Sequence, residues 1–278
     1  MNALPMRLIS VCLISFSGYW VACTKPPLAP NPRHTVTVEG RLQIVREYPH
    51  DPNAFTQGLH FLDGKLYEST GLEGRSSLRR VDLESGVVER QNALPDAFFG
   101  EGLAQVGQRL FQLTWLNHIV LVWDLATFGK INEITYEGEG WGLCYDGKRL
   151  VMSDGSDVLS FRDPATFAKT GEIAIRLHDR PLSQLNELEC VHGLIIANVW
   201  QNRHIAVINP DSGEVVSWIE ATPLFDQLSR LNPIETTRVD VLNGIAYLPQ
   251  NGHFLLTGKL WPRIYEVTLE NIKGQLIR

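Results

Sequence analysis

The sequence predicts an all-β fold, a five-bladed β-propeller closed by an N-terminal strand that completes the last blade. Two observations predict it. A short pattern recurs five times, as Thr56-Gln57-Gly58-Leu59, Gly100-Glu101-Gly102-Leu103, Gly140-Trp141-Gly142-Leu143, Leu185-Asn186-Glu187-Leu188 and Leu242-Asn243-Gly244-Ile245. Its second residues lie 44, 40, 45 and 57 positions apart. Each copy then leads into a turn and a second apolar run, as in Phe61-Leu62-Asp63-Gly64-Lys65-Leu66-Tyr67. A strand-rich recurrence of this length marks a blade, which cannot bury its faces without neighbours. The first strands of blades line a central axis, so Gln57, Glu101, Trp141, Asn186 and Asn243 are expected to converge there.

The elements follow in order. Val36 to Tyr48 alternates apolar and polar residues and reads as a strand with no inner strand before it. The last blade ends on Ile264-Tyr265-Glu266-Val267 with only a short tail, so this first strand is expected to complete it. Blade one has Leu78-Arg79-Arg80-Val81-Asp82-Leu83 as its third strand and turns at Glu84-Ser85-Gly86. The third strands of the next blades are Ile119 to Asp124, Val158 to Asp163 and Ile205 to Asn209. The Asp or Asn that ends each is suited to accept from turn N–H groups, a structural role. Thr222 to Val239 interrupts the pattern, with Pro223 to Leu228 as a short helix, and its place suggests a rim or lid.

Composition narrows the function. A hydrophobic fraction of 44% supplies a core, while a net charge of −6 without a basic cluster argues against nucleic acid as a partner. Residues 1–23 resemble a secretory signal peptide, with an apolar Leu8 to Ala22 too short for a membrane span. Val21-Ala22-Cys23 is similar to the end of a bacterial lipoprotein signal and makes Cys23 a candidate for lipid attachment. Residues 24–35 read as a Pro-rich tether, and residues 36–278 as the propeller domain. The protein is thus expected to be exported, to be periplasmic, either free or lipid-anchored, and to act as a monomer. Export permits a disulfide between Cys144 and Cys190. Strand alternation would point them to opposite faces, so the reading favours two buried free thiols.

Familiar catalytic patterns are absent: no Gly-x-Ser-x-Gly, His-Glu-x-x-His, Cys-x-x-Cys or phosphate loop occurs, and the eight histidines lack metal-ligand spacing. The axial ring therefore carries the chemistry, with Trp115, Trp200 and Lys259 just beyond strand ends. Tryptophans at strand ends usually pack, and a lone lysine is usually solvated. A carboxylate between two glycines at an inward position, Glu101, is costly to bury without purpose.

Phe55-Thr56-Gln57-Gly58-Leu59, Phe99-Gly100-Glu101-Gly102, Gln112-Leu113-Thr114-Trp115, Glu139-Gly140-Trp141-Gly142-Leu143, Leu185-Asn186-Glu187-Leu188-Glu189, Ala197-Asn198-Val199-Trp200 and Thr257-Gly258-Lys259-Leu260-Trp261-Pro262 together resemble the plant-type and bacterial glutaminyl cyclases, over roughly Val45 to Val267. The resemblance implies a five-bladed propeller and an enzyme that converts the N-terminal glutamine of peptides to pyroglutamate with loss of ammonia. It implies Glu101 as the catalytic residue, and Phe55, Gln57, Trp115, Trp141, Asn186, Trp200 and Lys259 as the substrate pocket. No cofactor and no zinc site are expected. Glu101 would move the proton, Asn186 or Lys259 would stabilise charge on the amide oxygen, and Gln57 would orient the substrate. The rivals are a metal-dependent, lactonase-like hydrolase with Glu101, Asn186 and Asn243 as ligands, and a propeller that binds peptides without chemistry.

Overall fold

The computed structural model describes residues 37–271, and the expectations for the signal segment, the tether and Cys23 lie outside them. The described residues are all-β with two short helices. Strand β1 (Val38–Pro49) is followed by an antiparallel sheet of β2 (Thr56–Leu62), β3 (Lys65–Thr70), β4 (Ser77–Asp82) and β5 (Val88–Ala93). The second sheet is β6 (Gly100–Val106), β7 (Arg109–Thr114), β8 (Ile119–Asp124) and β9 (Lys130–Thr135). The third is β10 (Leu143–Tyr145), β11 (Leu150–Met152), β12 (Val158–Arg162) and β13 (Lys169–Ala174). A small hairpin, β14 (Arg176–Leu177) with β15 (Arg180–Pro181), precedes a fourth unit of β16 (Leu185–Val191), β17 (Leu194–Val199), β18 (His204–Ile208) and β19 (Val215–Glu220). Helices α1 (Thr222–Ser229) and α2 (Pro233–Thr236) fill the interruption before β20 (Leu242–Leu248), β21 (His253–Gly258) and β22 (Arg263–Asn271).

The N-terminal strand joins the last unit. β1 runs antiparallel to β22, with Leu42 opposite Leu269 and Tyr48 opposite Ile264. Its start also pairs in parallel with β19, so the fourth and fifth units form one continuous eight-stranded sheet. The third-strand turns are held as the residue types require. Asp82, Asp124, Asp163 and Asn209 each accept from a backbone N–H two or three residues on, at 3.0, 2.8, 2.8 and 2.9 Å.

The first strands of the five units neighbour one another in a ring: β2 lies by β6, β6 by β10, β10 by β16, β16 by β20, and β20 by β2. Glycine makes that approach feasible. A Cβ at Gly58 would meet the Leu103 nitrogen at 2.5 Å, and one at Gly102 would meet the Leu143 nitrogen at 2.5 Å. At the same place in the pattern the fourth unit carries Glu187, buried at 1% exposure. Its carboxylate accepts from Leu59 N at 3.2 Å and Ile245 N at 2.9 Å, tying the first, fourth and fifth units at the axis. Burial, with nearby Glu189, pushes this carboxyl well above the usual carboxylate range.

The expectation of two free thiols is corrected: Cys144 and Cys190 form a disulfide. The two cysteines do point to opposite faces of their sheets, and that is what brings them together. Leu143 packs back onto Ala104, Phe111 and Leu113 of the second sheet, whereas Cys144 packs forward onto Leu188, Ile195 and Ala197 of the fourth. Sheets arranged side by side around a ring meet through opposite faces, so residues of opposite parity confront each other. The Cα atoms of the two cysteines are 5.4 Å apart.

Candidate active site

Four of the five ring residues reach the axis because their strands are bulged there. Register shifts fall between Thr56 and Gly58, Gly100 and Leu103, Leu185 and Leu188, and Leu242 and Ile245. A bulge leaves one residue unpaired and re-aims its side chain, a common device beside functional sites. Four side chains so placed, Gln57, Glu101, Asn186 and Asn243, are each at most 4% exposed.

Gln57, Glu101 and Asn186 floor a cavity of about 450 Å³, whose lining holds all eight side chains expected in the pocket: Phe55, Gln57, Glu101, Trp115, Trp141, Asn186, Trp200 and Lys259. Phe99 makes an edge-on contact with Phe55 at 6.0 Å and with Trp115 at 5.7 Å, and Trp141 meets Trp200 edge-on at 5.8 Å. The walls are therefore aromatic and the polar atoms few, the usual make-up of a small-molecule pocket.

A one-way hydrogen-bond chain ends on Glu101. Asn243 Nδ2 donates to Gln57 Oε1 at 3.0 Å, and Gln57 Nε2 donates to Glu101 Oε1 at 2.9 Å. Asn243 is held in turn by donating to the Thr56 carbonyl at 3.0 Å. Both polar ends of Gln57 are thus engaged within the protein. Asn243 does not line the cavity but positions Gln57 from behind. Glu101 Oε2 and Asn186 Oδ1 are buried with no hydrogen-bond partner, an arrangement that costs stability unless a ligand supplies one.

Burial pushes the Glu101 carboxyl well above the usual range. Lys259 opposes that shift and Glu139 adds to it, and burial wins. Lys259 is 5% exposed rather than solvated, with Nζ 4.8 Å from the centre of the Phe55 ring. Burial draws its ammonium pKa down, against the pull of Glu101 and Asp240.

Glu139 was missed from the sequence. Its Oε2 accepts the indole N–H of Trp115 at 2.7 Å and of Trp141 at 3.0 Å, so one carboxylate sets the orientation of two walls. The signal was present in Glu139-Gly140-Trp141, where the carboxylate sits two residues before an indole. Phe99, Gln201, Asp240 and Val241 also line the cavity and were not singled out. Among the described residues, no three His, Cys, Asp or Glu side chains gather as metal ligands.

The glutamine cyclotransferase family model matches residues 19–269. A glutaminyl-peptide cyclotransferase of Arabidopsis thaliana is 42% identical over 237 residues, which cover 84% of this chain and 73% of the relative. The crystal structure of Myxococcus xanthus glutaminyl cyclase superposes with a TM-score of 0.78 at 41% identity, over 85% of this chain and all of that one. The chain belongs to the glutamine cyclotransferase family.

Proposed function

We propose that this protein is a glutaminyl-peptide cyclotransferase that closes the N-terminal glutamine of a peptide to pyroglutamate and releases ammonia. Family membership and the relatives' named activities support the reaction. One observation carries the assignment of residues: Glu101 sits buried on the cavity floor, clamped through Oε1, with Oε2 unpartnered.

The chemistry needs little more than this. The substrate's α-amine nitrogen bonds to its own side-chain amide carbon, and the bond from that carbon to the amide nitrogen then breaks. Indole walls that hold the glutamine folded supply proximity and exclude water. The attacking nitrogen must lose a proton and the leaving nitrogen must gain one. Glu101 Oε2 takes the first and returns it as the second, acting as base and then acid. A carboxyl raised by burial is matched to that exchange, because its affinity for the proton approaches that of the groups it serves. Lys259 donates to the amide oxygen as negative charge builds on it. Asn186 Oδ1 accepts an N–H of the substrate, which satisfies the orphaned acceptor. Gln57 and Asn243 hold Glu101 in register.

The five four-stranded units, with their first strands in a ring, support reading the architecture as a five-bladed propeller, with β1 as the outer strand of the fifth. The Cys144–Cys190 disulfide supports an oxidising compartment, in keeping with export to the periplasm. The direct test is ammonia release and pyroglutamate formation from a glutamine-initiated dipeptide. Absence of both from the folded protein would end the proposal.

A further inference from the structure

Beside the glutamine pocket lies a second cavity of about 290 Å³, and the two share Gln201, Asp240 and Val241. Its other walls are Asn202, Arg203, Phe225, Val239 and Leu242. This is the work of the segment that interrupts the repeat. Helix α1 buries Leu224 and Leu228 and presents Phe225 edge-on to Trp261 at 5.3 Å. Trp261 is fully buried, and its indole N–H donates to the Asp240 carbonyl at 2.8 Å. The wall is therefore fixed from behind. The Arg203 guanidinium lies 4.4 Å over the Phe225 ring, and the Arg203 carbonyl accepts from Ala221 N at 2.7 Å, which holds the loop against the start of the helix. Gln201, on the shared wall, has a φ of +60°, an unusual conformation for a residue other than glycine.

A cyclised glutamine remains joined through its carbonyl to the rest of the peptide, so the chain must leave the pocket somewhere. The larger cleft between the second and third sheets, about 740 Å³, shares no lining residue with the glutamine pocket. The cavity beside α1 shares three wall residues with the glutamine pocket. We infer that this cavity receives the side chain of the residue after the N-terminal glutamine, and that its lining of Phe225, Val239 and Val241 under the Arg203 stem selects a large apolar one. The inference rests on the cyclotransferase reading and extends it to substrate choice. The apolar stem of arginine covers such a side chain while its charge stays in water.

The experiment measures kcat/KM for Gln-Phe-amide and Gln-Gly-amide with the parent protein, Arg203→Ala and Phe225→Ala. The parent should favour the phenylalanine peptide by about tenfold or more, the scale on which apolar pockets discriminate. Both variants should lose much of that preference through KM for the phenylalanine peptide, with Gln-Gly-amide turned over as before. Arg203→Ala removes only an exposed side chain, so it carries the test if Phe225→Ala folds poorly. Equal use of both peptides by the parent, or an unchanged preference in Arg203→Ala, would overturn the subsite while leaving the cyclotransferase reading intact. No turnover of either peptide by the parent would overturn both.

Discussion

Gln57 Nε2 donates to Glu101 Oε1 at 2.9 Å, and the other oxygen of that carboxyl is buried without a partner. The two oxygens therefore have different tasks. One is fixed by the protein, and the other is left for a proton. Replacing Glu101 by Gln keeps the shape but removes the proton carrier. Turnover should fall by about 10²–10⁴-fold, the range of general acid–base catalysis, with the thermal midpoint little changed. Steady-state ammonia release alongside a melting curve checks this, and turnover near the parent's would remove Glu101 from the chemistry.

The pH profile should follow the charges around Glu101. A base must be ionised, so the acid limb of activity reports its raised pKa. Glu139 raises that pKa and Lys259 lowers it. Glu139→Gln should move the acid limb to lower pH, and Lys259→Met should move it to higher pH. The substrate amine titrates identically in every variant, so a shift of the limb isolates the protein group. Profiles of kcat/KM, which report the free enzyme and the free substrate, measure it across the three proteins. Glu139→Gln should also raise KM, since both indole N–H groups lose a charged acceptor.

Much of the site was legible because the fold repeats. Each ring residue occupies one position of a recurring pattern, and at four of the five a bulge turns it inward. What the repeat could not display is what stands outside it. Glu139 acts from the loop before a strand, whereas Asn243 lies in the pattern and holds Gln57 from behind. Lys259 looked like a solvated charge when taken alone, and only the family resemblance put it in the pocket. The cysteines were misjudged because parity was applied as though their two strands belonged to one sheet. The α1 cavity is built from an insertion, for which a repeat offers no template.

The disulfide closes a long segment, with 46 positions between its ends. A chain-entropy estimate gives it about 4 kcal/mol of stabilisation. The double variant Cys144→Ser/Cys190→Ser should unfold at a lower temperature by a corresponding margin, and reductant should lower the midpoint of the parent but not of the variant. A parent insensitive to reductant in its unfolding transition would contradict this.

The seam where β1 hands over to the first sheet rests on a buried ion pair whose sign fixes its pH window. His50 Nε2 meets Glu68 Oε1 at 3.0 Å, with both side chains 1% exposed, and His50 Nδ1 donates to the Trp261 carbonyl at 2.7 Å. Burial alone would lower the His50 pKa, but the charge and hydrogen bond of Glu68 outweigh it and raise the value. Burial would raise that of Glu68, but His50 and Arg79 bring it below the ordinary range. The histidine contribution is therefore complete below an ordinary imidazole pKa of about 6.5 and is lost as pH climbs through the higher folded value. The glutamate contribution is complete above about 4.3 and is lost as pH falls through the lower folded value. Between those limits the pair is fully formed. His50→Ala leaves Glu68 with only Arg79, at 3.8 Å, as a charged partner. It should cost about 3–5 kcal/mol near pH 6, the penalty for breaking a buried pair. Adding Glu68→Gln should recover part of that loss, because no unpaired charge then remains. Urea unfolding of the three proteins from pH 5 to 9 measures both effects. The gap between parent and His50→Ala should narrow at the alkaline end; a constant gap would mean that folding leaves the imidazole pKa unchanged, and a gap that widens from pH 5 upward would mean that the imidazole is neutral in the folded protein.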